Sequence, residues 1–191
     1  MPHINEFHKL YPGITLEIST NPTSILKKSL KKLDFIIAKF PPNMNDDLIY
    51  QKLGDMEDVF IVGKTYKELI GKKLNLKDLI DYPILLQKQP SSSRDNVEKY
   101  CQENKVKLNS IMEIAISNLL IEFTKIGYGI GIVTKQYIKK EVTRKEIFIL
   151  NVIPKIPKRE FGIITLKNNY LSKASSIFID LLLKNINKEY D

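Results

Sequence analysis

The sequence predicts an α/β fold in two lobes. Short apolar runs of strand length alternate with amphipathic helical segments along all 191 residues. From Phe7 to Ala38 a helix, an alternating strand, a second helix and a buried strand follow one another. The stretch 64–158 repeats a strand–helix alternation of its own, and two strands near 59–62 and 161–165 flank it as crossovers. Residues 1–60 with 164–191 are therefore expected to form lobe I, and residues 61–163, crossover strands included, lobe II.

Each element has a local reason. Pro2 to Tyr11 places Ile4, Phe7 and Leu10 on one helical face, with Pro2 in the first turn and Pro12-Gly13 as the stop. Ile14, Leu16 and Ile18 alternate with Thr15, Glu17 and Ser19, which predicts a half-buried strand. Asn21 to Ser24 turns into a helix carrying Ile25, Leu26, Leu30 and Leu33. Phe35 to Ala38 reads as a buried strand ended by Phe40-Pro41-Pro42, and this β–α–β order favours a right-handed parallel crossover.

Strands are expected at 48–53 and 59–62, then a polar, broken stretch over 66–81 with a short helix at 76–80. Ile84-Leu85-Leu86 is a strand, and Val97, Tyr100 and Cys101 mark one face of the next helix. A strand at 111–114 precedes Ile116, Leu119, Leu120 and Phe123, spaced as a helix. Strands at 130–133, 147–152 and 161–166 and a helix near 136–141 follow. Ser172 is placed to cap a last helix whose stripe is Ala174, Ile177, Phe178, Leu181 and Leu182.

Composition narrows the function classes. Hydrophobic residues make up 43%, enough for a core and too many for a disordered chain. The net charge is +8, yet it rests on lysines spread along the chain, and Arg94, Arg144 and Arg159 are its arginines. Arginine is the usual reader of guanine edges, so the charge reads as solubilising rather than DNA-binding. Cys101 is alone, which excludes an intramolecular disulfide and fits a reducing cytoplasm. Residues 1–13 carry no secretory signal, and no apolar stretch approaches the roughly 18 residues that would span a bilayer.

The segment Gln89-Pro90-Ser91-Ser92-Ser93-Arg94 is the leading binding candidate. It lies between a strand and a helix, where unpaired N–H groups and the positive end of the helix dipole favour an anion. Hydroxyls and a guanidinium beside them could hold a carboxylate, sulfate or phosphate; the competing reading is simple capping by Ser92 or Ser93. Gly127, Gly129 and Gly131 run from helix to strand, the wrong order and spacing for a dinucleotide fingerprint, and read as a helix stop with a tight strand entry. His3 and His8 have no partners at metal-ligand spacing, so no metal or cofactor is expected. Asp46-Asp47 and Asp55-Glu57-Asp58 read as solvated carboxylates, and Cys101 as a core thiol.

Taken in order, several motifs resemble the effector-binding domain of LysR-type transcriptional regulators. They are Phe7-x3-Tyr11-Pro12-Gly13-Ile14-x-Leu16, Leu33-Asp34-Phe35-Ile36-Ile37, Asp78-Leu79-x2-Tyr82-Pro83-Ile84, Gly127-x-Gly129-Ile130-Gly131-Ile132 and Leu171-Ser172-x-Ala174-x3-Phe178. The family usually has a glycine two residues before Leu33-Asp34, where Lys31-Lys32 stands here. The resemblance implies two Rossmann-like lobes joined by crossover strands, a type II periplasmic-binding-protein-like fold, with a small effector in the inter-lobe cleft; Arg94, Lys39 and the serine run suggest an anion. It implies a non-catalytic, dimeric, cytoplasmic sensor that reaches DNA only through a winged helix-turn-helix preceding this segment. In the family that domain, a linker helix and the first strand of lobe I come before the helix at which this sequence begins. A transporter's solute-binding protein or an enzyme of the same fold are the alternatives. By position, lobe I would offer Thr20, Asn21, Lys39, Phe40 and Pro41, and lobe II Gln89, Ser91, Ser92, Ser93, Arg94, Ile116, Ser117 and Thr134.

Overall fold

The computed structural model describes residues 2–21, 26, 28–40 and 46–189. In chain order the elements are α1 (Pro2–Leu10), β1 (Ile36–Lys39), β2 (Leu48–Met56), β3 (Asp58–Val62), β4 (Lys73–Asn75), β5 (Ile84–Gln87), α2 (Ser92–Glu103), β6 (Ser110–Ile114) and α3 (Ser117–Lys125). Then come β7 (Ile130–Thr134), α4 (Lys139–Thr143), β8 (Phe148–Ile149), β9 (Asn151–Ile153), β10 (Arg159–Leu166) and α5 (Lys173–Glu189). Single 3₁₀ turns lie at Leu30–Lys32, Leu76–Leu79 and Lys135–Tyr137, and a longer one at Lys64–Leu69. The chain divides into two compact units, 1–55 with 160–191 and 56–159. It passes from one to the other within β2 and at the start of β10.

In the first unit β10 is the central strand of a three-stranded sheet, order β1-β10-β2. β1 runs antiparallel to it, pairing Ile36 with Ile164 and Ala38 with Gly162. Leu30, Ile36, Ala38 and Ile164 form a buried cluster. Phe7 of α1 meets Phe178 of α5 edge to face, with ring centroids 4.9 Å apart, a geometry that aligns ring edge and ring face charges. The Ser172 hydroxyl accepts from the backbone N–H of Ser175 at 3.1 Å, the expected cap of α5.

The strand expected at Ile14–Ile18 does not form, and Leu16 and Ile18 stand exposed. Alternation supplies one apolar face, but a strand also needs an edge to pair with. Among the described residues none pairs with this segment. The early parallel β–α–β unit is therefore not seen either, because β1 pairs antiparallel with β10. The expected turn at 22–24, Ile25 and Pro41 lie outside the described residues.

The second unit holds a five-stranded sheet, order β6-β5-β7-β3-β8. β5 runs parallel to both β6 and β7, while β3 is antiparallel to β7 and β8. β3, expected as a crossover, thus lies inside this sheet. Both faces are covered, which explains the unbroken apolar runs. Phe60, Val62, Ile84, Leu86, Ile130 and Ile132 pack one face with Val97 and Tyr100 of α2. Ile61, Leu85 and Val133 pack the other with Leu120 and Ile121 of α3. Gly127 ends α3 at φ +82°, and Gly131 lets β7 approach Thr124 and Leu120 of that helix. The polar stretch 66–81 holds β4, paired parallel with β9. The single strand expected at 147–152 is two: β8 pairs with β3, a ladder that the Leu150 N–H extends by donating to Phe60, and β9 pairs with β4.

Candidate functional site

In the second unit the ends of β5 and β7 meet the N-termini of α2 and α3 through a set of side-chain hydrogen bonds. Gln87 is the last residue of β5 and Ser91 is the N-cap of α2, its hydroxyl accepting from the Arg94 N–H at 3.3 Å. Capping therefore falls to Ser91 rather than to Ser92 or Ser93, which begin the helix itself. The Ser91 hydroxyl also donates to Gln87 Oε1 at 2.7 Å. Gln87 Nε2 donates to the hydroxyl of Ser117, the first residue of α3. One half-buried amide thus links the starts of two helices.

Beside it lies a buried ion pair. Asp58, the first residue of β3, and Arg159, the first of β10, are 3% and 5% exposed. Arg159 Nε donates to Asp58 Oδ2 at 2.7 Å, and Nη2 to Oδ1 at 2.8 Å. Asp58 also accepts from Ser93 at 2.8 Å, Thr134 at 3.1 Å and Asn96 at 3.1 Å. Arg159 further donates to the hydroxyls of Ser92 at 3.0 Å and Thr134 at 2.9 Å. Such a pair tolerates burial because every carboxylate oxygen and three guanidinium nitrogens have partners.

Of Asp55-Glu57-Asp58, all read as solvated carboxylates, Asp58 is corrected by these contacts. Asp58 is buried, Asp55 pairs with Lys52 at 3.0 Å, and Glu57 pairs with Lys158 and Lys135 at 2.9 and 3.1 Å. Those two ammonium groups hold the Glu57 carboxyl below the usual carboxylate range. Burial pushes the Cys101 thiol up to about 11, which keeps it protonated and unreactive at neutral pH.

Ser91 and Ser117 are therefore joined through Gln87, and Ser92, Ser93 and Thr134 through the Asp58–Arg159 pair, in two neighbouring hydrogen-bonded groups. The Arg94 guanidinium donates to the Gln87 backbone carbonyl at 3.1 Å and binds Glu98 at 2.6 Å and Glu113 at 2.9 Å. Gln89 is exposed and contacts Asp95 and Glu98 at 3.1 and 3.3 Å. Ile116 precedes α3, is 62% exposed and makes no side-chain cap. In the first unit Lys39 ends β1, and the Phe40 ring lies edge to face on Tyr50 with centroids 4.6 Å apart. Thr20 and Asn21 are exposed in the irregular segment after α1.

Gln87 and Asn96 were not singled out from the sequence, and Asp58 and Arg159 were not read as part of a site. Gln87 carried one available signal, as the last polar residue of an apolar strand two positions before the serine-bearing loop. A hollow of about 560 Å³ beside α4, lined by Lys139, Lys140, Glu141 and Arg144 among others, gathers none of the serines. Among the described residues no group of three or more His, Cys, Asp or Glu side chains could hold a metal ion, and no helix is long and apolar enough to cross a membrane.

A family model described as the LysR substrate binding domain matches residues 1–187. The chain belongs to this family. Its fold is the two-unit α/β, type II periplasmic-binding-like fold of LysR substrate-binding domains. The regulatory domain of CcmR from Synechocystis PCC6803, solved in complex with 2-PG, superposes with a TM-score of 0.87 at 23% identity, covering 96% of this chain and 88% of that one. The effector binding domain of QuiR, solved in complex with shikimate, gives 0.80 at 22% identity, covering 98% and 90%. The HTH-type transcriptional activator CmpR of Synechocystis is 26% identical over 180 residues, which are 94% of this LysR-family chain and 59% of CmpR. The chain spans about three fifths of the length of the curated relatives it matches.

Proposed function

We propose that this chain is the effector-sensing part of a cytoplasmic LysR-type transcriptional regulator, non-catalytic and homodimeric, reaching DNA through a separate N-terminal domain. The effector is a small anion, a carboxylate or phosphate ester. It is received at the strand ends of the second unit, with Ser91, Ser92, Ser93, Ser117 and Thr134 nearby. The observation that carries this reading is the joining of the α2 and α3 N-termini through Gln87, whose amide bonds the hydroxyls of Ser91 and Ser117. Each helix start offers unpaired N–H groups and a positive dipole end. Hydroxyl donors beside them favour an acceptor-rich anion over a cation. The complexes of CcmR with 2-PG and of QuiR with shikimate lend further support.

Calorimetric and thermal-shift titration with a panel of small mono- and dicarboxylic acids and phosphate esters tests the reading. At least one acid should raise the melting temperature in a saturable way, since a ligand that binds only the native state stabilises it by mass action. Heat and melting temperature unmoved by every acid in the panel would overturn it.

A further inference from the structure

The net charge of the chain belongs almost wholly to the second unit, which holds 19 Lys and Arg against 12 Asp and Glu, while the first unit holds 11 against 10. It is densest over 135–145, where Lys135, Lys139, Lys140, Arg144 and Lys145 face one acid, Glu141. The fold turns this run into a wall. Ile138 is fully buried and Val142 partly, and both pack with Ile61, Leu85 and Val133. That fixes the apolar side of α4. Helical spacing then sends Lys139 with Thr143, and Lys140 with Arg144, outward as exposed pairs four residues apart. The preceding turn, Lys135–Tyr137, is pinned by the Lys135 N–H, which donates to the Glu57 carbonyl at 2.7 Å, and by the Lys135–Glu57 ion pair at 3.1 Å. Turn and helix together line the hollow of about 560 Å³, with Tyr137, Lys139, Lys140, Glu141 and Arg144 among its walls. Its cations are uncommitted. Among the described residues Lys139, Lys140 and Arg144 take part in no ion pair, whereas Arg94, Lys125, Lys135, Lys158 and Arg159 of the same unit are each held by a carboxylate. Glu141 does not neutralise them: its Oε2 is buried and accepts from no donor. Glu146 is bound by Lys125 at 2.9 Å, and Arg144 acts on it only at longer range.

We propose that this hollow is a second binding site, for a small molecule carrying two or more phosphate groups, with Lys139, Lys140 and Arg144 as its charge partners. It shares no lining residue with the hydroxyls at the strand ends, and it stands whether or not those receive an acid. Three positive groups with no carboxylate paired to them repel one another. A multiply charged anion relieves that repulsion, where a single carboxylate would leave part of it. Arg144 adds a planar fork that matches two phosphate oxygens at once. The volume falls within the range of about 300–1,000 Å³ typical of small-molecule sites, and exceeds what one phosphate fills. Tyr137, 55% exposed, gives the wall an aromatic face for the rest of such a ligand. The shape favours a small guest over a duplex, since a concave wall encloses the one and meets the other only at its rim.

Calorimetric titration of the whole chain with orthophosphate, pyrophosphate and tripolyphosphate tests this, at about 150 mM salt, where exposed charges are screened beyond about 8 Å. Affinity should rise in that order. Lys139→Ala, Lys140→Ala and Arg144→Gln should each weaken tripolyphosphate by roughly tenfold, the loss of one hydrogen bond to a charged group. These side chains are exposed, so the urea midpoint of each variant should not move. Lys72→Ala and Lys107→Ala remove equally exposed charges elsewhere in the same unit, and should change the affinity by less than about twofold. Ser117→Ala should leave it unchanged as well. Losses as large in Lys72→Ala or Lys107→Ala as in the hollow would show attraction to net charge alone and overturn the site. A loss in Ser117→Ala with none in Lys139→Ala would put the phosphates at the strand ends and overturn it too. So would tripolyphosphate that gives neither heat nor a rise in melting temperature, or a short DNA duplex that binds through the same three residues more tightly than tripolyphosphate does.

Discussion

Asp58 and Arg159 stand 101 residues apart in sequence and share two hydrogen bonds in the interior of the second unit. Removing one partner of such a pair leaves a charge in a medium that solvates it poorly. Asp58→Ala would leave Arg159 with only the hydroxyls of Ser92 and Thr134, so unfolding in urea should show a loss of about 3–5 kcal/mol. A loss under about 1 kcal/mol would mean that water reaches the guanidinium in the mutant. The serine run was legible because its residues are consecutive and lie between a strand pattern and a helix pattern. The pair behind it was not, since Asp58 sits among other acids and Arg159 among prolines and lysines, and only tertiary structure joins them. Arg94 shows the same limit: its place beside the serines is local, while its partner Glu113 comes from β6.

At the scale of elements, periodicity located what packs on two sides and missed what depends on pairing. The runs at β3, β5 and β7 are apolar on both faces because α2 and α3 each cover one, and they were readable as strands. β4 has three residues with one buried, Leu74, too short a pattern to separate from a loop, and it exists through β9. Ile14–Ile18 shows the converse, a clear alternation that pairs with no strand among the described residues. The glycine run was correctly read as a helix stop and strand entry, and the packing gives it a second role. A Cβ on Gly131 would lie 2.9 Å from Leu120 Cδ2 and 3.2 Å from Ile61 Cγ1, and closer still to the Thr124 hydroxyl. Gly131→Ala should therefore force α3 off β7 and cost about 1–3 kcal/mol in urea unfolding. Because α3 carries Ser117, effector affinity should drop with it; an unchanged midpoint would show that the helix yields freely.

For the molecule as a whole, a net charge of +8 invites a nucleic-acid reading that the placement of its arginines opposes. Arg159 is buried on Asp58, and Arg94 is bound by Glu98 and Glu113, which leaves Arg144 as the arginine exposed on the surface. Base-edge readout relies on the planar guanidinium fork, and one exposed fork gives little sequence discrimination. What remains is lysine, a point charge that attracts phosphate without regard to sequence. The isolated chain should therefore shift random and promoter DNA alike in a gel at about 50 mM salt. It should release both by about 200 mM, as binding through released counterions predicts. A shift that favoured one sequence and survived at the higher salt would place DNA reading in this chain itself and remove the need for a separate DNA-binding domain.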